Sequence, residues 1–416
     1  MRKLAVIGGG WAGCAAAVEL TRKGEAVTLF EAARTLGGRA RQVELHGRHL
    51  DNGQHILLGA YGETLRLMRT VGMKPDEVLL RLPLQMRYPP GSGGMDFVAP
   101  RLPAPLHVLL ALLRASGLDR QDKMALARFS TTARWMDWQL NTDCSVLELL
   151  DRFDQTERLT RLMWRPLCIA ALNTPPERAS AQVFLNVLRD SLGARRSHSD
   201  MLLPRVDLTS LFPQHAAAFI EQHGGTIRCG TAVRTVQRDG AQWRLGLNGD
   251  LDTSERDERF DAVIVATPPA RAAALLDGLC NTGLLSSLAY EPITTCYLQY
   301  PPAFRLTSPF FAMPDNGAEN EWGQFVFDRG RLDPKQAGLF AVVVSTSTEA
   351  VALGHDKLSD AVASQLARLL KQPELREPEW TRVITEKRAT FSCTPGLVRP
   401  ANATGLPGLA IAGDYT

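Results

Sequence analysis

Three glycines and one acid in the first thirty-one residues have the types and spacing to hold a phosphorylated ligand. Gly8, Gly10 and Gly13 are spaced G-x-G-x-x-G, and Glu31 lies 23 positions after the first of them. Gly8 suits a tight turn, Gly10 removes the side chain that would block a pyrophosphate, and Gly13 lets a helix lie close on a strand. Unpaired amides at the start of that helix, with its dipole, would face the phosphates. A carboxylate at Glu31 accepts hydrogen bonds from a ribose 2′-hydroxyl and disfavours a 2′-phosphate. The chemistry is that of dinucleotide binding.

These residues work only if a strand delivers the glycines, a helix follows them, and a second strand ends at the acid. Leu4-Ala5-Val6-Ile7 is a short apolar run that reads as a buried parallel strand. Cys14 to Lys23 has helical apolar spacing, Gly24 ends it, and Ala26-Val27-Thr28-Leu29-Phe30 reads as the second strand. Beyond the acid, Leu36-Gly37-Gly38-Arg39-Ala40 adds a second flexible loop with a cation, which suits a diphosphate held from two sides because a guanidinium pairs phosphate in a fork.

The run from Gly8 through Glu31-Ala32-Ala33-Arg34-Thr35-Leu36-Gly37-Gly38-Arg39 resembles the flavin-containing amine oxidase and phytoene desaturase superfamily, where it contacts FAD. The resemblance implies an α/β fold: an FAD-binding Rossmann-like domain of the glutathione-reductase and amine-oxidase type, with an interleaved α+β substrate-binding domain. It also implies that Gly8, Gly10, Trp11, Ala12, Gly13, Glu31, Gly37, Gly38 and Arg39 contact the cofactor. Val233 matches the residue that bonds the adenine through its backbone, at the end of a G-G-x-I-x-x-x-x-x-V pattern starting at Gly224. Gly413-Asp414 matches the closing motif, whose aspartate lies by the ribityl and phosphate groups. The implied division is 1–75, 205–288 and 386–416 for FAD binding, 76–204 for a helical substrate lobe and 289–385 for a β-rich sheet. The chain stops at Thr416, before the helix that follows this motif in the superfamily, so a truncation with weaker FAD retention is expected.

Asp51-Asn52-Gly53-Gln54-His55-Ile56-Leu57-Leu58-Gly59-Ala60-Tyr61 sets polar groups on a glycine hinge beside an apolar run. His55 there reads either as a proton donor, and so the candidate catalytic residue, or as a structural hydrogen-bonding group. This stretch and Trp164-Arg165-Pro166-Leu167-Cys168-Ile169-Ala170-Ala171-Leu172-Asn173-Thr174-Pro175 look like the squalene-associated, hydroxysqualene dehydroxylase branch. That branch implies an apolar isoprenoid substrate: hydroxysqualene reduced to squalene in bacterial hopanoid synthesis. A carotenoid-type desaturase, an amine oxidase and a flavin-free isoprenoid-binding protein stand as rival readings. No second G-x-G-x-x-G is present, so an external electron donor is expected.

Composition bounds these readings. A chain of 416 residues exceeds what one core usually supports, and 45% hydrophobic with 22% charged residues is a globular composition. A net charge of +3 argues against nucleic acid as a partner. Cys14, Cys144, Cys168, Cys229, Cys280, Cys296 and Cys393 form no C-x-x-C pair, which fits free thiols in a reducing compartment and no metal site. With no targeting segment and no run of about 18 apolar residues, a cytoplasmic location is expected. Leu102 to Arg114 is apolar nearly all round, which leaves three readings: a buried core helix, the wall of an apolar tunnel, or an interfacial anchor touching the membrane peripherally between Arg101 and Arg114. Further helices are expected over 62–72, 119–165, 177–192, 207–223 and 357–370. Further strands are expected near 226–228, 231–236, 242–245, 260–267, 294–300, 323–327 and 339–345.

Overall fold

The computed structural model of the chain describes residues 1–248 and 256–416. Residues 249–255, inside the expected segment 205–288, lie outside the described residues. The N-terminal apolar run forms strand β1 (Lys3–Ile7), followed by helix α1 (Trp11–Arg22) and strand β2 (Ala26–Phe30). These strands lie within a five-stranded sheet ordered Thr226–Arg228, β2, β1, Ala262–Val265, Leu409–Ile411. Every neighbouring pair is parallel, with Val6 facing Leu29 on one side and Ile264 on the other. Parallel strands require crossovers, so the chain leaves this sheet and returns to it, and the excursions build the rest of the molecule. β1 is apolar throughout because both its faces are covered: Ala5 and Ile7 enter a cluster with Phe30 and Phe260, and Val6 one with Val18 and Phe212.

A second, antiparallel sheet runs Phe310–Ala312, Phe325–Asp328, Leu339–Ser345, Tyr290–Gln299, Trp380–Phe391, of which Tyr290–Gln299 is β3, Leu339–Ser345 β4 and Trp380–Phe391 β5. The alternation of β4 separates two cores. Leu339, Ala341 and Val343 face the helical lobe, whereas Phe340, Val342 and Val344 meet Leu358, Val362 and Leu366 of the helix His355–Leu370. β5 lies at the sheet's edge and carries Arg382, Glu386, Lys387 and Arg388, charges that blunt an edge and also hide a strand from a hydrophobicity reading.

The helical lobe includes α2 (Leu106–Arg114), α3 (Arg120–Trp135), α4 (Arg165–Leu172) and the helix Ala181–Leu188. Its core centres on Trp164, whose ring centroid lies 4.6 Å from Phe129 and 6.1 Å from Phe184, and whose Nε1 donates to Gln155 Oε1 at 3.0 Å. Several helices are shorter than their apolar spacing suggests. α3 ends where Asp137 and Trp138 take φ of 51° and 58°. The helix expected from residue 177 begins after Ser180, whose hydroxyl accepts from Val183 N–H at 3.1 Å. The expected helix over 207–223 breaks at Phe212, and Pro213 opens a second one. α2 starts only after Pro105 and is not apolar all round in use: His107, Ala111 and Leu112 are buried, while Leu106, Leu109 and Leu113 are 52%, 49% and 62% exposed. Among the described residues no helix is long and apolar enough to cross a membrane.

Candidate functional site

β1 runs into Gly8, whose φ of +106° an L side chain rarely adopts. A Cβ on Gly13 would lie 1.8 Å from Gly8 O, so α1 sits directly on the turn that precedes it. No side chain caps α1, and its first backbone bond is from Cys14 N–H to Gly10 O at 2.9 Å. The amides of Trp11, Ala12 and Gly13 therefore stand unspent at the positive end of the helix dipole. A Cβ on Gly10 would meet only Gly38 Cα, at 3.9 Å, which leaves its open side clear for an anion.

Glu31 closes β2. Its Oε2 accepts from Gly9 N–H at 2.6 Å and its Oε1 from Ala33 N–H at 2.8 Å. Each oxygen retains a second acceptor site. The backbone around it ties in the strand that leads to Val233: Glu31 N–H donates to Arg228 O at 2.9 Å, Thr231 N–H to Glu31 O at 3.0 Å and Gly230 N–H to Ala33 O at 2.9 Å. Val233 is buried in the cluster of Ala5 and Ile7, and its carbonyl accepts from Arg271 Nη2 at 2.6 Å.

The second glycine loop touches the first, backbone to backbone. Gly37 N–H donates to Gly9 O at 2.9 Å, and a Cβ on Gly38 would lie 3.1 Å from Gly10 Cα. Arg39 then reaches across the molecule, donating from Nη1 to Ala389 O at 2.6 Å and from Nη2 to Asp414 Oδ1 at 2.7 Å. Its guanidinium is thus partly spent on the closing motif, with further N–H groups left for a ligand. Gly413 is pressed against the ring of Tyr415, whose hydroxyl donates to Thr267 O at 3.0 Å. Thr267 Oγ1, one residue beyond the Ala266 carbonyl that abuts Gly8, is buried without a partner. An uncapped helix, touching glycine loops and an orphaned hydroxyl are the features that a phosphate-bearing cofactor would complete.

The Asp51–Tyr61 stretch lies over β3. Gln54 N–H donates to Thr295 Oγ1 at 3.4 Å, and Tyr297 Oη to Asp51 O at 2.9 Å. Arg329, 2% exposed, donates to Gln54 Oε1 at 2.8 Å and to Gln336 Oε1 at 2.9 Å. Asp51 accepts from Leu208 N–H at 2.7 Å, and burial pushes its carboxyl up to about 7. The His55 side chain is accessible. Burial first, and the Arg39 charge second, push its imidazole down to about 4. Arg329, Thr295 and Tyr297 carried no signal in the sequence; Arg329 stands in Asp328-Arg329-Gly330-Arg331, a run that reads as a solvated turn.

Comparison with known proteins identifies the family and the fold. The flavin containing amine oxidoreductase family matches residues 11–416. A hydroxysqualene dehydroxylase of Rhodopseudomonas palustris is 28% identical over 99% of this chain and 92% of its own length. A zeta-carotene desaturase of Arabidopsis thaliana is 23% identical over 100% of this chain and 81% of its own. Among solved structures, cyclohexylamine oxidase from Brevibacterium oxydans superposes with a TM-score of 0.67 at 16% identity, covering 99% of this chain and 93% of that one, which shows the shared fold. The chain therefore belongs to the flavin-containing amine oxidoreductase family and is an FAD-dependent oxidoreductase.

Proposed function

We propose that the enzyme acts on an apolar isoprenoid and reductively removes the hydroxyl of hydroxysqualene to give squalene. The observation that carries this reading is the similarity to hydroxysqualene dehydroxylases along nearly the whole chain. The amides of Trp11, Ala12 and Gly13, with Gly8 and Gly10, would take the FAD pyrophosphate. Glu31 would take the adenosine ribose, the Val233 backbone the adenine, and Gly37, Gly38, Arg39, Gly413 and Asp414 the ribityl side of the diphosphate. Segments 1–75, 205–288 and 386–416 would then form the cofactor-binding part, and 76–204 with 289–385 the substrate-binding part.

Reduced FAD, when bound, supplies hydride chemistry at an allylic carbon. In the overall change a carbon–hydrogen bond forms, the carbon–oxygen bond breaks, and the hydroxyl leaves with a proton as water. His55 is poorly suited to give that proton, because its imidazole is pushed down to about 4 and is held mostly neutral at pH 7. It serves instead as a neutral hydrogen-bonding group. A diffusing reductant is the electron donor in this reading, since the sequence holds a single G-x-G-x-x-G.

The test is anaerobic incubation of the reduced holoenzyme with hydroxysqualene. Squalene should appear as the flavin is oxidised; a flavin that stays reduced with no squalene formed would sink the assignment. The second reading, oxidative desaturation of a polyene, is favoured by the similarity to zeta-carotene desaturase. It predicts the opposite change: anaerobic bleaching of the oxidised flavin by a polyene substrate.

A further inference from the structure

Five of the eleven large apolar side chains that stand exposed among the described residues lie on α2 and α3: Leu106, Leu109, Leu113, Met124 and Trp135. Their spacing makes stripes. Leu106, Leu109 and Leu113 fall at i, i+3 and i+7 on α2, and Met124 and Trp135 at i and i+11 on α3. The opposite faces, through Ala111 and Leu112 on α2 and Ala125, Leu126 and Phe129 on α3, are anchored in one core. Lys123 Nζ donates to Leu113 O at 2.8 Å, so the first turn of α3 abuts the end of α2. The stripes therefore stand on a fixed base and are not the frayed edge of a loop.

Cations border them. Arg101, Arg114, Arg120, Arg128 and Arg134 are exposed, and among the described residues none of the five pairs with a carboxylate. Residues 101–135 hold six Lys and Arg against two Asp, an excess of four, whereas the whole chain has an excess of three. Both acids are spent internally: Asp119 caps α3, and Asp122 is buried and accepts from Thr156 Oγ1 at 2.6 Å. Apolar side chains set among unpaired arginines complement an anionic lipid surface, with Trp135 of the type that favours a membrane interface. A second copy of the same face would bring arginine against arginine, so self-association does not satisfy this charge.

We propose that α2 and α3 form a docking face that rests on an anionic bilayer, the five apolar side chains entering the interface and the arginines meeting lipid phosphates. This goes beyond the reaction proposed above and does not depend on it, since the test contains no substrate. The FAD-loaded full chain is sedimented with vesicles of equal parts phosphatidylglycerol and phosphatidylcholine, and with phosphatidylcholine alone. It should pellet with the former at low salt and be released as salt rises. Replacing Arg114, Arg128 and Arg134 by Gln should weaken partition by about fivefold per residue at low salt. The triple variant Leu109→Ser, Leu113→Ser, Trp135→Ser should lose it by roughly a hundredfold, with flavin absorbance unchanged as the check on folding. The wild-type chain staying in the supernatant with anionic vesicles overturns the proposal. So does either variant pelleting like wild type, or light scattering that shows a dimer which the serine variant dissolves.

Discussion

Asp51 shows how a single buried group sets a pH dependence. Its folded-state value of about 7 lies above the ordinary 3.8 of a carboxylate, mainly because burial disfavours the charge. Between pH 4 and 7 the folded chain keeps a proton that the unfolded chain has lost, so this group's contribution falls as pH rises through that window and is constant above it. Asp51→Asn keeps an oxygen to accept from Leu208 N–H and removes the charge. At pH 8 the variant should be more stable than wild type by about 2–4 kcal/mol, and at pH 4.5 by far less. His55 works in the other sense: its folded value near 4 is below the ordinary 6.5, so its contribution falls as pH drops between them. The two slopes oppose each other in wild type, and the difference between variant and wild type isolates Asp51. Urea unfolding at both pH values, at one saturating FAD concentration, measures it; an advantage for Asp51→Asn that is the same at pH 4.5 and 8 would show the carboxyl is not the source. Nothing in Asp51-Asn52-Gly53 announces this, because burial depends on Leu208 and Tyr297, 157 and 246 positions away.

Among elements, α4 and the loop after it give a physical role to the run Trp164–Pro175. Asn173 ends α4 with φ of 44°, and its side chain makes three contacts with the antiparallel-sheet region. Nδ2 donates to Glu291 O at 3.2 Å and Thr390 Oγ1 at 3.0 Å, and Oδ1 accepts from Thr346 N–H at 2.9 Å. Thr174 Oγ1 accepts from Cys393 N–H at 3.0 Å, and Ser180 N–H donates to Cys393 O at 2.7 Å. The run is therefore a clasp between helical lobe and sheet. Asn173→Ala leaves buried groups without partners in a left-handed backbone and should cost about 3–5 kcal/mol. Asn173→Gly relieves the backbone alone and should recover roughly 1 kcal/mol of that. Chemical denaturation of the holoenzyme checks both, and a loss below about 0.5 kcal/mol for Asn173→Ala would refute the clasp. The contrast with β1, α1 and β2 explains what a sequence can show. Short apolar runs, glycine spacing and the Glu31 offset are local, so that unit was legible in the sequence to within a few residues at the ends of its helix. The clasp joins Asn173 to Thr390, 217 positions apart, and Arg39 separately bonds Asp414, 375 positions away; neither pairing leaves a local trace.

At the scale of the molecule, the parallel sheet gathers strands from both ends and the middle of the chain, so the cradle is assembled only when the whole chain is folded. Arg39 ties these parts together: its backbone carbonyl accepts from Asn52 Nδ2, and its guanidinium donates from Nη1 to Ala389 O and from Nη2 to Asp414 Oδ1. A ligand held by such a distributed site binds the folded chain alone and stabilises it by mass action, by about 2.7 kcal/mol at a hundred times its dissociation constant. For a chain of this size that corresponds to a rise in Tm of about 3 °C. The Tm of the deflavinated protein should therefore climb steadily with the logarithm of added FAD. Arg39→Gln keeps a polar side chain but forfeits the charge and the fork. If Arg39 meets the diphosphate as well as Asp414, the variant should lose most of the FAD-dependent rise at equal FAD, while its melting without FAD changes less. If Arg39 serves only to hold residues 389 and 414, melting without FAD should fall and the FAD-dependent rise should survive intact, which would remove Arg39 from the cofactor site. Thermal melts of the two deflavinated proteins over a series of FAD concentrations separate these outcomes, because the melt without FAD reports the fold and the FAD concentration at which the rise begins reports the site.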